Sequence, residues 1–381
     1  MKAKVLFIID NLTGGGAEKM LIHVLRRIDR DRFDVSLLTV VKYGIYVPDV
    51  PSDIRFISVF GDGKVMKRFG LFPLFRLYRR LGAILFRKYP YFVSQFIRIP
   101  DFDIGISFCH GDNMPLLWTL KRHFRKTVLW IHGDMRISSR RFILKRFPRE
   151  TASVDRFIFV SEAAKDAFIE TFPEHAHLRA LMSVIYNPLD FDSIKHQGIR
   201  RKRENPDELQ VIAIGRLDKG KSFNRLISVH HRLLDDGIRH ELVILGKGPE
   251  YEALEQQITE LGVGTTCRLA GFQNPYPYLA AADIFVLSSI NEALPTVIAE
   301  AMVLCKPIVS TRVAGADELL EDGRFGIITE NSEKGIYDGL KEMLTNSALR
   351  KHFEEELTNC RDEFVFTSDV HNIEEKLLKM L

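Results

Sequence analysis

Val5-Leu6-Phe7-Ile8-Ile9-Asp10-Asn11-Leu12-Thr13-Gly14-Gly15-Gly16-Ala17-Glu18 is a short apolar run that stops at a carboxylate and breaks into three consecutive glycines. Met20, Leu21, Val24 and Leu25 follow at helical spacing. A brief apolar run bounded by turn residues reads as a buried strand. Strand, glycine turn and helix in that order are the first step of a parallel sheet with crossover helices. The turn itself has two readings: a loop whose N–H groups approach a ligand closely, or a tight strand-to-helix connection. Its spacing is not G-x-G-x-x-G and it has no Walker lysine, so by itself it specifies no nucleotide.

The same unit recurs along the chain. Strands are expected at Val5–Ile9, Val35–Val40, Ile54–Val59, Ile104–Phe108, Thr127–Ile131 and Phe157–Val160. A second series is expected at Val211–Ile214, Glu241–Leu245, Cys267–Leu269, Ile284–Leu287 and Pro307–Ser310. Between them, Phe191–Leu209 carries Arg200, Arg201, Lys202, Arg203 and Glu204 ahead of Asn205-Pro206 and reads as an exposed interdomain linker. The expected fold class is α/β: two Rossmann-like, doubly wound parallel-sheet domains, 1–190 and 191–381, facing a central cleft. Ligands of such sheets sit beyond the carboxyl ends of the strands, so the residues just after each strand are the ones to question.

Composition agrees with two globular domains. The 381 residues are 46% hydrophobic, 10% aromatic and 27% charged, with 25 Gly and 15 Pro. That profile excludes a disordered chain, a collagen and a disulfide miniprotein. Cys109, Cys267, Cys305 and Cys360 stand far apart without a C-x-x-C, so neither a zinc site nor a disulfide framework is expected, and a reducing compartment is. Asp10 ends the first apolar run short of a signal-peptide core, and Arg and Lys interrupt every long hydrophobic stretch. No signal peptide and no transmembrane helix are therefore expected. The net charge of +4 is uneven: residues 1–190 hold 31 Lys and Arg against 19 Asp and Glu, the remainder 23 against 31.

In the second series, Val211–Ile214 runs into Gly215-Arg216-Leu217-Asp218-Lys219-Gly220-Lys221, placing Arg216 and Lys221 at the ligand edge of the sheet. Two cations on one turn suit a diphosphate, Arg as a planar fork and Lys as a point charge; a solvated basic turn is the alternative. The next strand ends at Gly246-Lys247-Gly248-Pro249-Glu250, another glycine-opened helix start. Ser288-Ser289-Ile290-Asn291-Glu292-Ala293-Leu294-Pro295-Thr296 leads into a helix that carries Glu300, with Pro295 suited to its first turn. The helix start points N–H groups toward the ligand edge. Glu292 and Glu300 suit two hydroxyl-rich parts of one ligand, although their spacing alone also fits a surface Glu and a helix Glu.

Taken together, Gly14–Glu18, Gly215-Arg216-Leu217 with Lys221, Gly246-x-Gly248, Gly271-Phe272, Ser288-Ser289 and Glu292-x7-Glu300 resemble the retaining GT-B glycosyltransferases of family GT4, in order and over nearly the whole chain. The resemblance implies a hexosyltransferase that uses a nucleotide sugar. Arg216 and Lys221 would hold the donor diphosphate, assisted by N–H groups of Ala293, Leu294 and Thr296. Glu300 would hold the ribose, Glu292 the donor sugar beside the reacting carbon, and Gly15, Gly16 and Gly248 would complete the donor site. His132, in Trp130-Ile131-His132-Gly133-Asp134, matches a position where related enzymes place a histidine near the sugar; a packed or capping histidine is the alternative. The catalytic candidates are thus His132, Glu292, Arg216 and Lys221, and Gly16, His110 and His132 would face the acceptor. Ser161 resembles the cap of the family's last N-domain helix. The departing nucleoside diphosphate would help deprotonate the acceptor on the face it leaves, with Arg216 and Lys221 stabilising its charge without a metal. Ala293 stands where many members have Gly, which argues against a left-handed backbone there. Asp101-Phe102-Asp103 looks like the metal motif of the other glycosyltransferase fold but precedes a strand, so no metal and no other cofactor is expected.

Lys64–Arg98 holds nine basic residues and no acidic one, interleaved with Phe69, Leu71, Phe72, Leu74, Phe75, Leu77 and Tyr78 at spacings that put an apolar stripe beside cationic flanks. Such segments lie at anionic membrane surfaces, although half of this apolar content can equally face the domain core. Lys121–Arg149 adds ten basic residues against Asp134. No nucleic-acid module is recognisable, and the acidic second half would repel a nucleic-acid backbone. The expected activity is transfer of a sugar, from a UDP-sugar, to a lipid-linked glycan acceptor in bacterial surface polysaccharide or lipopolysaccharide synthesis, by a cytoplasmic protein on the inner face of the cell membrane. The alternatives are a nucleotide-sugar epimerase or hydrolase of the same fold, and a non-enzymatic peripheral membrane protein.

Overall fold

The computed structural model describes the chain apart from Met1, Gly14, residues 61–83, Arg87, His110, Asp112, Ser139, Arg200, Glu204 and residues 361–369. The expectations for Gly14, for His110 and for most of the 64–98 stripe therefore lie outside the described residues. Two compact units result, Met1–Pro188 with Thr367–Leu381, and Leu189–Phe366.

The first unit holds β1 (Ala3–Ile9), β2 (Phe33–Thr39), β3 (Arg55–Ser58), β4 (Phe102–Phe108), β5 (Phe124–Ile131), β6 (Arg156–Phe159) and β7 (Met182–Val184). They form one parallel sheet in the order β3-β2-β1-β4-β5-β6-β7. Val5 stands opposite Val35 on one side and Ile104 on the other. Val5, Leu6, Phe7 and Ile8 are all fully buried, so both faces of this strand are covered, which is why it reads as an unbroken apolar run instead of an alternation. The second unit holds β8 (Gln210–Ile214), β9 (Glu241–Leu245), β10 (Cys267–Gly271), β11 (Ile284–Leu287), β12 (Ile308–Thr311) and β13 (Ile327–Thr329), also parallel, in the order β10-β9-β8-β11-β12-β13. Its core joins Val211, Ala213, Ile244 and Ile284 to Leu226, Ile227 and Leu233 of the helix Phe223–Asp235. Each sheet reverses its winding once, between β1 and β4 and between β8 and β11. These two switch points are where adjacent loops diverge and leave room for a ligand.

Three expectations need correction. β7 and β13, each at a sheet edge, are not among the expected strands; both are short and only partly buried, so neither leaves a clear apolar signature. Phe191–Leu209 is not simply a linker, because Phe191–Gln197 is a helix capped by Asp190, whose Oδ1 accepts from Ser193 N at 3.1 Å. Its Ile194 packs with Tyr276 and Val303, all within the second unit. Arg203, from the charged cluster, ion-pairs with Asp283. Finally, the chain's last helix, Val370–Leu378, belongs with the first unit and not with a domain running from 191 to 381. There Glu374 accepts from Asp29 N at 2.7 Å, Arg32 pairs with Glu374 and Glu375, and Lys376 Nζ donates to Val184 O at 2.6 Å.

Candidate active site

The β8–β11 switch point gathers most of the expected residues. The turn after β8 is tied to the loop after β9: Leu217 N donates to Lys247 O at 3.1 Å and Glu250 N to Leu217 O at 3.0 Å. That close approach requires glycine at 248, where a Cβ would lie 2.2 Å from Leu217 O, and at 246, where φ is +152° and a Cβ would meet Gly215 O at 1.8 Å. Asp218 Oδ1 then accepts from Gly220 N at 3.0 Å and Lys221 N at 3.3 Å, which curls the turn back toward the sheet. Across the switch point, Ile290 N donates to Gly220 O and Ser288 Oγ to Lys221 O, both at 2.8 Å. The two loops therefore behave as one frame.

Within that frame Lys221 Nζ ion-pairs with the Glu292 carboxylate, and Ser289 Oγ donates to the same carboxylate oxygen at 2.9 Å. Both charged side chains are largely buried. Arg216 is different: its guanidinium is mostly exposed, with Asp218 no nearer than 3.7 Å. The helix Thr296–Val303 starts one residue after Pro295, which serves as its N-cap. Glu300 lies in that helix, 4% exposed, with Tyr276 Oη 3.5 Å from its Oε1. Ala293 is buried and is not among the positive-φ residues, as the departure from Gly implied. Gly315 explains the close packing of this loop, since a Cβ there would meet Ala293 O at 2.5 Å. Just past β10, the Phe272 ring is half exposed, with Lys247 Nζ 4.8 Å from its centroid. The structure thus brings together Lys221, Glu292 and Ser289, and sets Arg216, Gly248 and Ala293 in the loops around them.

The other expected residues lie in the first unit. Gly15 caps the helix Gly16–Arg27 in an extended conformation, and a Cβ on it would collide with the Glu18 carboxylate at 2.3 Å. His132 follows β5 with its ring stacked on Trp130, centroids 5.8 Å apart, and tilted against Phe108 at 4.6 Å. Ser161 Oγ accepts from Ala164 N at 3.0 Å, the capping role the sequence suggested. Asp101 faces His123, and because β4 starts at Phe102, Asp103 lies within the strand and not ahead of it, its carboxylate accepting from Lys4 N at 2.9 Å. At the β1–β4 switch point the central residue is one that no sequence motif marks. Asn113 is fully buried and its Nδ2 lies within reach of Ile8 O at 3.0 Å, Ser107 Oγ at 2.9 Å and Cys109 O at 3.3 Å.

Residues 14–193 match the family model described as Glycosyltransferase Family 4, and residues 195–359 the one described as Glycosyl transferases group 1. The chain belongs to the GT4-type glycosyltransferases. Over 173 residues it is 33% identical to the N-acetylgalactosamine-N,N'-diacetylbacillosaminyl-diphospho-undecaprenol 4-alpha-N-acetylgalactosaminyltransferase of Campylobacter jejuni, covering 45% of this chain and 46% of that one. Over 159 residues it is 34% identical to the lipopolysaccharide core biosynthesis glycosyltransferase LpsE of Rhizobium meliloti, covering 41% and 46%. The chain thus spans about half the length of these curated relatives. In fold it is similar to Anabaena Alr3699/HepE in complex with UDP and glucose, with a TM-score of 0.74 over 99% of this chain and 98% of that one at 19% identity. Its two Rossmann-like units are those of the GT-B fold. The Glu292-x7-Glu300 segment of this chain begins in the loop after β11, at the β8–β11 switch point. Beyond that segment, Arg225, Thr311 and Asn331 reach into the same loop from separate elements, and no local sequence signal marked them.

Proposed function

We propose that this GT4-type chain is a retaining glycosyltransferase that moves a sugar from a UDP-sugar to a lipid-linked glycan acceptor in bacterial surface-glycan synthesis. The observation that carries the reading is the Lys221–Glu292–Ser289 cluster at the β8–β11 switch point, with Glu300 on the helix that follows. A cation paired with a carboxylate in a frame of loops can exchange that partner for a diphosphate, leaving the carboxylate to a sugar hydroxyl. Arg216, already exposed, supplies a second cation. Thr296 at the helix start adds backbone donors and the favourable end of a helix dipole. The exposed Phe272 face suits a nucleobase. Support for the UDP and acceptor classes comes from the relatives: the Anabaena structure holds UDP and glucose, and the Campylobacter protein is named for a diphospho-undecaprenol-linked acceptor.

In the proposed reaction the acceptor hydroxyl oxygen bonds to the anomeric carbon as the bond from that carbon to the UDP β-phosphate oxygen breaks. The acceptor proton passes to the departing phosphate on the same face, so configuration is retained. The charge that develops on the leaving group is met by Arg216 and Lys221, and preorganised donors of this kind are the largest single source of rate in most enzymes. His132, held against Phe108 and Trp130, is assigned to the sugar and acceptor with Gly16.

Membrane association is part of the proposal. Among the described residues no helix is long and apolar enough to cross a membrane. Ile84, Leu85, Tyr89, Phe92 and Phe96 are exposed, while Phe86, Val93 and Ile97 are buried, so the described part of the 64–98 stripe divides between core and solvent. Arg146 Nη2 donates to Lys88 O at 2.8 Å and Tyr91 Oη to Glu150 at 2.8 Å, which brings the second basic stretch, with exposed Phe142, beside the first. Aromatic side chains flanked by cations suit an anionic bilayer surface. The deciding experiment for the enzyme is thermal unfolding against UDP, GDP, ADP, CMP and NAD: a ligand at about 100 times its Kd adds roughly 2.7 kcal/mol. Selective stabilisation by UDP, reduced in Glu300→Gln, is expected. Silence from every nucleotide, or unchanged UDP affinity in Glu300→Gln, would refute the donor site.

A further inference from the structure

We propose that Arg225 and Asn331 form a clamp that positions the Ser288–Glu292 turn, and through it the Glu292 carboxylate, for the sugar end of the donor. The inference rests on the donor-site reading above and concerns residues outside every motif that led to it. Arg225 lies in the first turn of the helix Phe223–Asp235, with its Nε donating to Ser222 Oγ at 2.9 Å. Its Nη2 donates to Ser288 O at 3.1 Å and to Asn331 Oδ1 at 3.0 Å, and its Nη1 lies 3.3 Å from Asn331 O. Asn331, just beyond β13, completes the fastening. Its Nδ2 reaches Ile290 O at 2.8 Å, Ser289 O at 3.2 Å and Arg312 O at 3.3 Å. Thr311 Oγ1, at the end of β12, donates to Ser289 O at 2.7 Å. Three successive carbonyls, those of Ser288, Ser289 and Ile290, are therefore held by side chains from three other elements.

The chemistry of this arrangement goes beyond holding a loop shut. Burial pushes the Arg225 guanidinium below its ordinary pKa, and it spends its donors on neutral oxygens. Its fork geometry, fixed and planar, sets both the Ser288 carbonyl and the Asn331 amide, and the amide then orients the next two carbonyls. Ser289 and Glu292 ride on this turn, whereas Arg216 and Lys221 stand on the turn after β8. A small shift of the clamped turn would move the Glu292 carboxylate and Ser289 hydroxyl directly, and would reach Lys221 only through the bonds Ser288 Oγ to Lys221 O and Ile290 N to Gly220 O and through its ion pair with Glu292. The clamp therefore acts more strongly on the sugar than on the nucleoside diphosphate. Arg225 and Asn331 are positioning residues, acting through Glu292.

The test compares the full chain with Asn331→Ala, Arg225→Lys and Thr311→Val. Calorimetric titration measures Kd for UDP and for UDP-glucose, UDP-galactose and their N-acetylated forms, and kcat and KM are measured with the sugar that binds best. In Asn331→Ala, UDP affinity is expected to fall less than the sugar's added affinity and kcat, which fall at least about tenfold, the scale of a sub-ångström misplacement. Arg225→Lys, which keeps the charge and loses the fork, is expected to fall between, and Thr311→Val to show a smaller loss of the same kind. A parallel fall of UDP and UDP-sugar affinity that follows the unfolding midpoint would overturn the clamp and leave a structural fastening. So would unchanged sugar affinity and kcat in both Asn331→Ala and Arg225→Lys. A wild-type chain that binds neither UDP nor any UDP-sugar would overturn the donor-site reading, and the clamp's role with it.

Discussion

Acidification should loosen the second unit through a pair of buried histidines, His230 in the helix Phe223–Asp235 and His240 just ahead of β9. His230 and His240 are each 1% exposed. His240 Nδ1 lies 2.9 Å from Ile238 O, which can only accept, so that nitrogen carries the proton. His240 Nε2 then accepts from His230 Nδ1 at 2.8 Å, and His230 Nε2 is left to accept from Thr266 Oγ1 at 3.0 Å. In this pairing both rings are neutral: a proton added to His240 Nε2 would meet the His230 Nδ1–H, and one added to His230 Nε2 would turn Thr266 Oγ1 from donor to acceptor. Burial, then the neighbouring His240, holds the His230 pKa down at about 3, and burial lowers that of His240 as well. A group depressed in the folded state is protonated first in the unfolded chain, near 6.5, so stability is present above that value and lost as pH falls below it. Between pH 8 and pH 5 the unfolded chain gains about 1.5 pH units of protonation that the fold denies His230, worth about 2 kcal/mol. His240 adds to this with the same sign. Urea denaturation followed by circular dichroism at both pH values, for wild type and His230→Gln, measures it. Gln keeps a donor toward His240 Nε2 but does not titrate. A His230→Gln variant with the same pH slope as wild type would refute the assignment.

Three further outcomes are expected. Gly248→Ala should destabilise by about 1–3 kcal/mol and weaken UDP binding, because the new Cβ meets Leu217 backbone and pushes apart the turns after β8 and β9; normal stability with normal UDP affinity would contradict it. Asn113→Ala should destabilise the first unit by about 1–3 kcal/mol by removing the donor shared by Ile8 O, Ser107 Oγ and Cys109 O. Trp118 and Trp130, the chain's two tryptophans, both lie in that unit, so fluorescence-detected denaturation reads it directly. Glu374→Ala should lower the same transition, since it strips the acceptor from Asp29 N and one partner from Arg32; a transition unmoved by it would argue that the last helix contributes little there.

Much of the fold was legible because its central strands are buried on both faces. Val5–Ile9, Val211–Ile214 and Ile284–Leu287 show as compact apolar runs, and the observed strands fall on them with end shifts of a residue or two. The edges were not legible: Met182–Val184 and Ile327–Thr329 are brief and half covered, and only their partners define them as strands. The charged cluster around Arg203 suggested a linker because charge reads as exposure, yet its ion pair with Asp283 fastens it to the second unit. At the site, the sequence showed Lys221 and Glu292 as separate signals. Their contact follows from β8 and β11 being neighbours, a fact of sheet order that no local pattern carries. Arg225 and Asn331 were invisible for a stronger reason: each acts on carbonyls of a distant loop, and a backbone acceptor leaves no trace in residue identity.

The two switch points share a topology and differ in what fills them, and that difference says which chemistry each can do. At β1–β4 the filling is Asn113, a neutral amide without exposure, whose donors are committed to oxygens of the strand ends and their loops. Displacing it would leave buried carbonyls unsatisfied, so it works as a fastener and not as an exchangeable ligand. At β8–β11 the filling is an ion pair, Lys221 with Glu292, whose side chains retain 21% and 19% exposure. An ion pair can trade partners where an amide plug cannot, because a diphosphate offers Lys221 at least as much charge as the carboxylate did, and a sugar hydroxyl can donate to the carboxylate in return. The exchange also fixes a direction: Glu292→Gln, by releasing Lys221, should tighten UDP binding even as it slows transfer, whereas a purely structural ion pair would give weaker UDP binding and lower stability together. Calorimetry with UDP and a turnover assay on that one variant separate the two.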